Sequence, residues 1–155
     1  MRVYVGSKFG NRSAVKLCQA LLRERGHVVS YDWTEDDKKC GVAGVDENFI
    51  PRDRTIARAL AKTDFDGVLS SDAMIFLPCA EGGRGCYVEF GMALAMEIPV
   101  IVVGEHLNAI FMFLPGVRRV ETVSIAVEEL AQLAEECRLD LAAEYVKPGE
   151  TGGGL

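Results

Sequence analysis

With 155 residues, the chain is long enough for one domain with a proper core and too short for two. Its net charge of −6, with Lys and Arg scattered among acids, argues against a nucleic-acid backbone as partner and favours solubility. Apolar residues make up 49% of the chain, but no apolar run is long enough to cross a bilayer, and the opening MRVYVG lacks the profile of a secretion signal, so the expected location is the cytoplasm.

In chain order, a short apolar strand is predicted at Arg2–Gly6, followed by a helix from Asn11 or Arg12 to Arg25 that Gly26 stops. A second strand spans His27–Tyr31. Residues Asp32–Asn48 are polar, glycine-containing and without period, the longest such stretch, and long loops in compact domains are commonly functional or disordered. A helix is expected over Asp53–Leu69, broken near Thr63–Gly67. Strand three is Ala73–Pro78, a helix covers Gly85–Met96, and strand four is Pro99–Val103. The loop His106–Pro115 leads to a short strand, Arg119–Thr122, and a last helix, Ser124–Ala143. Residues 1–146 form the expected domain, and Lys147–Leu155 a frayed tail.

Strands alternating with helices imply a parallel sheet covered on both faces. The expected fold is a single-domain α/β, flavodoxin-like or Rossmann-like three-layer sandwich, with a five-stranded parallel sheet in the order 2-1-3-4-5. Five cysteines (Cys18, Cys40, Cys79, Cys86, Cys137) contain no CxxC pair, and His27 and His106 stand far apart. They read as reduced thiols rather than a zinc site or a disulfide framework. No metal or organic cofactor is expected.

Chemistry concentrates in Ser71–Gly104, a buried strand, a glycine-rich turn, a helix and another buried strand. Ligands of open parallel sheets bind at the carboxyl ends of strands, beside such turns. Glu89, just past the turn, is placed to attack an anomeric carbon and form a glycosyl ester; the alternative is an ordinary early-helix glutamate favoured by the helix dipole. Asp72 opens strand three, where a boundary or capping role competes with a chemical one, and Asp64 and Asp66 read as caps or terminators of the preceding helix. The turn Gly82-Gly83-Arg84-Gly85 lacks both the GxGxxG and the GK[ST] patterns but permits close approach of a ligand to backbone, and Arg84 is either a phosphate partner or solvated. Tyr4 is either core or a hydrogen-bonding group, and Trp33 either stacks on a base or fills a gap.

Together, YVG on strand one, DAMIFLP on strand three and GCYVEFGMALAMEIPVIVVG across the helix and strand four resemble the nucleoside 2-deoxyribosyltransferase-like superfamily, which includes deoxynucleoside 5′-monophosphate N-glycosidases. The resemblance spans about Arg2–Glu129. It implies cleavage of the N-glycosidic bond of a 2′-deoxynucleoside or its 5′-monophosphate, by transfer or hydrolysis. Glu89 then matches the nucleophile on C1′, Tyr4 the tyrosine that orients it, and Asp72 the acid on the base side. Gly6 and Ser7 match the turn that receives the sugar. With Phe9, Trp33, Gly83, Arg84 and Gly85 they make up the expected substrate-binding set. Where base-exchanging members carry a further acid, this chain has Gly83, with Glu81 nearby, and the loop has no serine of the monophosphate hydrolases, so the subfamily stays open. The implied partners are a small nucleoside or nucleotide and further copies of the chain, as a homodimer or higher homo-oligomer. Asn108–Phe113 is the region in which to seek a residue lent between subunits. Other classes remain: a hydrolase of NAD or ADP-ribose-type ligands, a nucleotide-binding sensor without turnover, or a structural partner subunit.

Overall fold

The computed structural model describes residues 1–80 and 83–145, with side chains to residue 136; Glu81 and the predicted tail, 147–155, lie outside the described residues. Strands and α-helices alternate as β1 (Arg2–Ser7), α1 (Arg12–Glu24), β2 (Val28–Val29), α2 (Arg54–Leu69), β3 (Ala73–Leu77), α3 (Arg84–Ala95), β4 (Val100–Val103), β5 (Val117–Val120) and α4 (Val123–Tyr145). The strands form one all-parallel sheet in the order β2-β1-β3-β4-β5. Helix α1 packs with α4 and α2 with α3, giving the three-layer, flavodoxin-like sandwich that the alternating pattern predicts. Among the described residues, no helix is long and apolar enough to cross a membrane.

The central strands are near-continuous apolar runs because a parallel sheet buries both faces. Val3, Tyr4, Val5, Met74, Ile75, Phe76, Ile101 and Val102 are all fully buried. Burying an aliphatic or aromatic side chain of this size contributes about 1.5–3 kcal/mol. In register, Gly6 lies opposite Phe76 and Phe76 opposite Val102, which sets the level of the sheet at which the site is built.

The structure departs from the sequence pattern at the sheet edges and in one helix. The edge strand β2 pairs over two residues rather than the expected five, because it has β1 as its one neighbour and Val28 is half exposed. Strand β5 begins two residues before the expected start, where buried Val117 pairs with Val100. Part of Asp32–Asn48 is ordered as a 3₁₀ segment, Asp36–Ala43, held by Tyr31 donating to Asp36 and by the Arg12–Asp37 ion pair at 2.7 Å.

Helix α2 runs unbroken through the predicted break. Gly67 is there for space: a Cβ would stand 2.7 Å from Tyr31 Cβ and 3.2 Å from Tyr4 Cε2. Gly67→Ala is therefore expected to cost about 1–3 kcal/mol through overpacking. That lowers the thermal midpoint by roughly 3–10 °C in a chain of this size. Gly91→Ala, on a helix face with nothing within 4 Å, is the control and is expected to hold or raise the midpoint. Thermal unfolding of the two variants checks both.

Candidate active site

Side chains at positions 4 and 6 of β1 point to the same face of the sheet. At position 6 there is none, and the carboxylate of Glu89 comes up to the space: a Cβ on Gly6 would lie 3.5 Å from Glu89 Oε2 and 2.3 Å from Met74 Cε. Glu89 stands in the second turn of α3, whose cap, Gly83, has φ +84°. Any other residue there is strained, and a Cβ would also meet Lys8 Cβ at 2.8 Å. The two glycines thus let α3 lean on the carboxyl end of β1 with its glutamate facing the strand.

At position 4 the wholly buried Tyr4 donates its hydroxyl to Asp64 Oδ1 at 3.3 Å. The same hydroxyl interacts with the Glu89 carboxylate. One proton on one oxygen therefore faces two carboxylates. Glu89 Oε2 is buried and has no hydrogen-bond partner among the described residues. Leaving such an acceptor unsatisfied costs about 1–3 kcal/mol, more if it is charged.

Electrostatics follow from that crowding. Burial, then the charge of Asp64, pushes Glu89 up to about 8, against the hydrogen bond from Tyr4. Burial, then Asp36, pushes Asp64 up to about 6, opposed by Tyr4 and by Lys39. Tyr4 is held well above its ordinary value by burial and by both acids. Behind Asp64, Tyr31 donates to Asp36 at 2.7 and 2.8 Å, and Lys39 Nζ donates to Tyr31 at 2.9 Å. With Asp64 at about 6 and Glu89 at about 8, the two half-buried acids titrate as a pair and hold one proton between them near neutral pH.

Asp72 does not join this group. It begins β3 at the opposite end of the sheet, exposed, with its carboxylate accepting from the Arg2 amide at 2.6 Å. Four residues of strand, about 13 Å, separate that level from Gly6. The acid beside Tyr4 and Glu89 is Asp64. Its signal lies in helical spacing: Ile56, Ala57, Leu60, Asp64, Gly67 and Val68 are the partly or fully buried positions of α2, so an aspartate occupies the inward stripe.

The remaining predicted residues divide. Ser7 is buried and committed to the protein, donating to the Leu77 carbonyl at 2.7 Å and accepting from Asn11 at 3.0 Å. Trp33 does not present a face for stacking: it is 6% exposed, and its indole N–H donates to the Val5 carbonyl at 2.9 Å. Phe9 lies over it, ring centroids 6.1 Å apart. Arg84 and Gly85 are exposed on the first turn of α3, and Gly85 borders open space. Asn108 is tied to its own subunit, accepting from Tyr87 and donating to the Cys79 carbonyl at 3.1 Å, while Ile110, Phe111 and Phe113 beyond it are exposed. A hollow of about 410 Å³ lies away from this chemistry, between the ends of β4 and β5, lined by Gly104, Glu105, Leu107, Arg119, Val120 and Glu121. Among the described residues, no group of three His, Cys, Asp or Glu is arranged to hold a metal.

No protein-family model matches the chain, and no curated protein matches it. Its function is therefore read from the fold and from the Glu89–Tyr4–Asp64 geometry.

Because Glu89 ionises near 8 in the fold and near 4.5 when unfolded, the unfolded state binds fewer protons between those values. Stability is thus lost as pH rises through that window. Glu89→Gln, neutral throughout, should be more stable than the natural chain by a margin that grows from about pH 4.5 and levels off above about pH 8. Denaturant titrations at pH 5, 7 and 8.5 measure the margin; a constant or shrinking one contradicts a carboxyl held in its protonated form by the fold.

Proposed function

We propose that the protein cleaves the N-glycosidic bond of a 2′-deoxynucleoside or its 5′-monophosphate through a glycosyl ester on Glu89. The observation that carries this reading is a pair of half-buried carboxylates, Glu89 and Asp64, that meet at one tyrosine hydroxyl beside the gap left by Gly6 of β1. An oxocarbenium-like sugar needs an anion beside C1′, and a departing base needs a proton. One pair of carboxylates with one proton provides both.

In the reactive arrangement Glu89 is ionised and Asp64 carries the proton. Burial favours the opposite placement at rest. Tyr4 connects the two: accepting the proton of Glu89 while giving its own to Asp64 interconverts the forms without a free charge. An oxygen of Glu89 then bonds to C1′, the bond between C1′ and the base nitrogen breaks with its electron pair going to the base, and Asp64 protonates that nitrogen. In the second half, water or an acceptor base attacks C1′, Glu89 leaves as carboxylate, and Asp64 takes the attacking group's proton. Arg84, exposed on the turn beside the site, is the residue we assign to a 5′-phosphate. We also propose a homo-oligomer formed over exposed Ile110, Phe111 and Phe113, which solution mass tests.

Free base released from a panel of deoxynucleosides and their monophosphates, with and without an acceptor base, is the direct assay. Glu89→Gln should lower turnover by at least about 10³-fold with substrate binding kept. Asp64→Asn should lower it roughly 10²–10³-fold and Tyr4→Phe roughly 10–100-fold, the smaller loss because relay and orientation go but both acids remain. Full activity of Glu89→Gln removes Glu89 from the mechanism. The profile of kcat/KM against pH should be bell-shaped. It falls below about pH 6, where both acids are protonated and Glu89 cannot attack, and above about pH 8, where neither has a proton for the base. A rate that rises without limit across that range would remove the proton-donor role.

A further inference from the structure

The segment after the 3₁₀ turn is built to hold one aromatic ring in place. Val45 and Pro51 form an antiparallel bridge, and the Asp46 amide donates to the Ile50 carbonyl at 2.9 Å. Between them the Asp46 carboxylate accepts from the amides of Asn48 and Ile50, at 2.8 and 2.9 Å, and the Phe49 amide donates back to the Asp46 carbonyl at 3.0 Å. These bonds force Phe49 to φ +62°, the left-handed region, which a bulky residue adopts only under constraint. Glycine or asparagine would form the same turn without strain. A phenylalanine there points to a requirement for the ring.

That ring is the outermost of three. Its centroid is 4.9 Å from Phe9 at an interplanar angle of 37°, and Phe9 in turn lies 6.1 Å from Trp33. The Arg12 guanidinium also sits over the Phe9 ring, 4.9 Å from its centre. Trp33 is buried, but Phe49 is 50% exposed. Phe9 follows two residues after the end of β1, and Gly6 of that strand faces Glu89. Lys8, next to Phe9, is the residue against which the Gly83 turn closes. Lys8 and Phe9, neighbours in the turn after β1, thus stand against the start of the Glu89 helix and against the Phe49 ring respectively.

We propose that Phe49 is the base-side aromatic of the pocket: its ring stacks on the planar base of the substrate, and the turn over residues 46–50 exists to hold it at that angle. This rests on the N-glycosidase reading. It gives Phe49 the stacking role that the buried Trp33 lacks. Stacking grows with the overlapped π-surface, so a bicyclic purine gains more from the ring than a monocyclic pyrimidine. The residue acts on binding of the base and leaves the reacting carboxylates untouched.

The test compares Phe49→Leu, which keeps apolar bulk without a π-face, Phe49→Tyr, which keeps the ring, and Phe49→Gly, which removes both ring and backbone strain. Steady-state base release gives KM and kcat for purine and pyrimidine deoxynucleoside 5′-monophosphates. Calorimetry on the same variants in the Glu89→Gln background gives Kd for those nucleotides and for 2-deoxyribose 5-phosphate, which has no base. Phe49→Leu and Phe49→Gly should raise KM and Kd about tenfold or more, with kcat within about twofold. The loss should be larger for purines, absent for the sugar phosphate, and restored by Phe49→Tyr. The thermal midpoint of Phe49→Gly should not fall, because the strained φ is relieved. Unchanged Kd in Phe49→Leu and Phe49→Gly, with base release intact in the natural chain, overturns the stacking role and spares the N-glycosidase reading. A loss equal for nucleotide and sugar phosphate, or one that Phe49→Tyr does not restore, assigns Phe49 to packing and overturns it as well. Absence of both nucleotide binding and base release in the natural chain overturns the N-glycosidase reading and the stacking role with it.

Discussion

One hydroxyl proton, shared between two carboxylates that burial discourages from ionising, is the constraint around which this molecule is arranged. Tyr4 is placed on β1, beside the central strand, with its hydroxyl toward Asp64 of α2 and Glu89 of α3. Each of those helices needs a glycine to bring its acid in. Gly67 lets α2 close over Tyr4 and Tyr31, and Gly83 lets the start of α3 rest on Lys8. Gly6 leaves the gap that Glu89 Oε2 approaches. Three absent side chains and one tyrosine thus bring two acids together. The arrangement costs stability wherever Glu89 must ionise, because burial and the charge of Asp64 oppose it.

The fold was legible because its signal is large and periodic. Apolar runs such as AMIFL and VIVV are those of strands buried on both faces, and the alternating helices leave few topologies. Edges were read less well. Neither β2 nor β5 has a second neighbour to enforce its length, so Tyr31 left the sheet and Val117 joined it. Gly67 looked like a helix breaker because a sequence does not say what stands opposite a residue; Tyr31 Cβ, 36 positions away in the chain, gives the answer.

The site was legible in part for the same reason. Glu89 follows the glycine turn past the carboxyl end of β3, and Tyr4 stands two residues before Gly6 on β1, so position alone is informative. Asp72 and Asp64 are both aspartates at element boundaries in the linear pattern, and the choice between them depends on the end of the sheet each one reaches. Asp72 pairs with Arg2 at the amino end, whereas Asp64, on the inward stripe of α2, reaches Tyr4. The placement of Phe49 was beyond reach, since it shows only in a positive φ and in contact with a ring 40 residues earlier. For Trp33 the sequence leaves stacking and gap-filling open, and the structure shows the second: the ring is buried and its N–H donates to the Val5 carbonyl.

The central claim is that Glu89 bonds to the sugar. Rapid acid quench of the natural chain during turnover of a deoxynucleoside 5′-monophosphate, followed by intact-mass measurement and peptide mapping, tests it most directly. The account predicts an adduct of one deoxyribosyl phosphate unit on the peptide that contains Glu89, formed with release of base and absent from Glu89→Gln. Base released at full rate with no adduct at any quench time, or an adduct mapped to a different side chain, would contradict it.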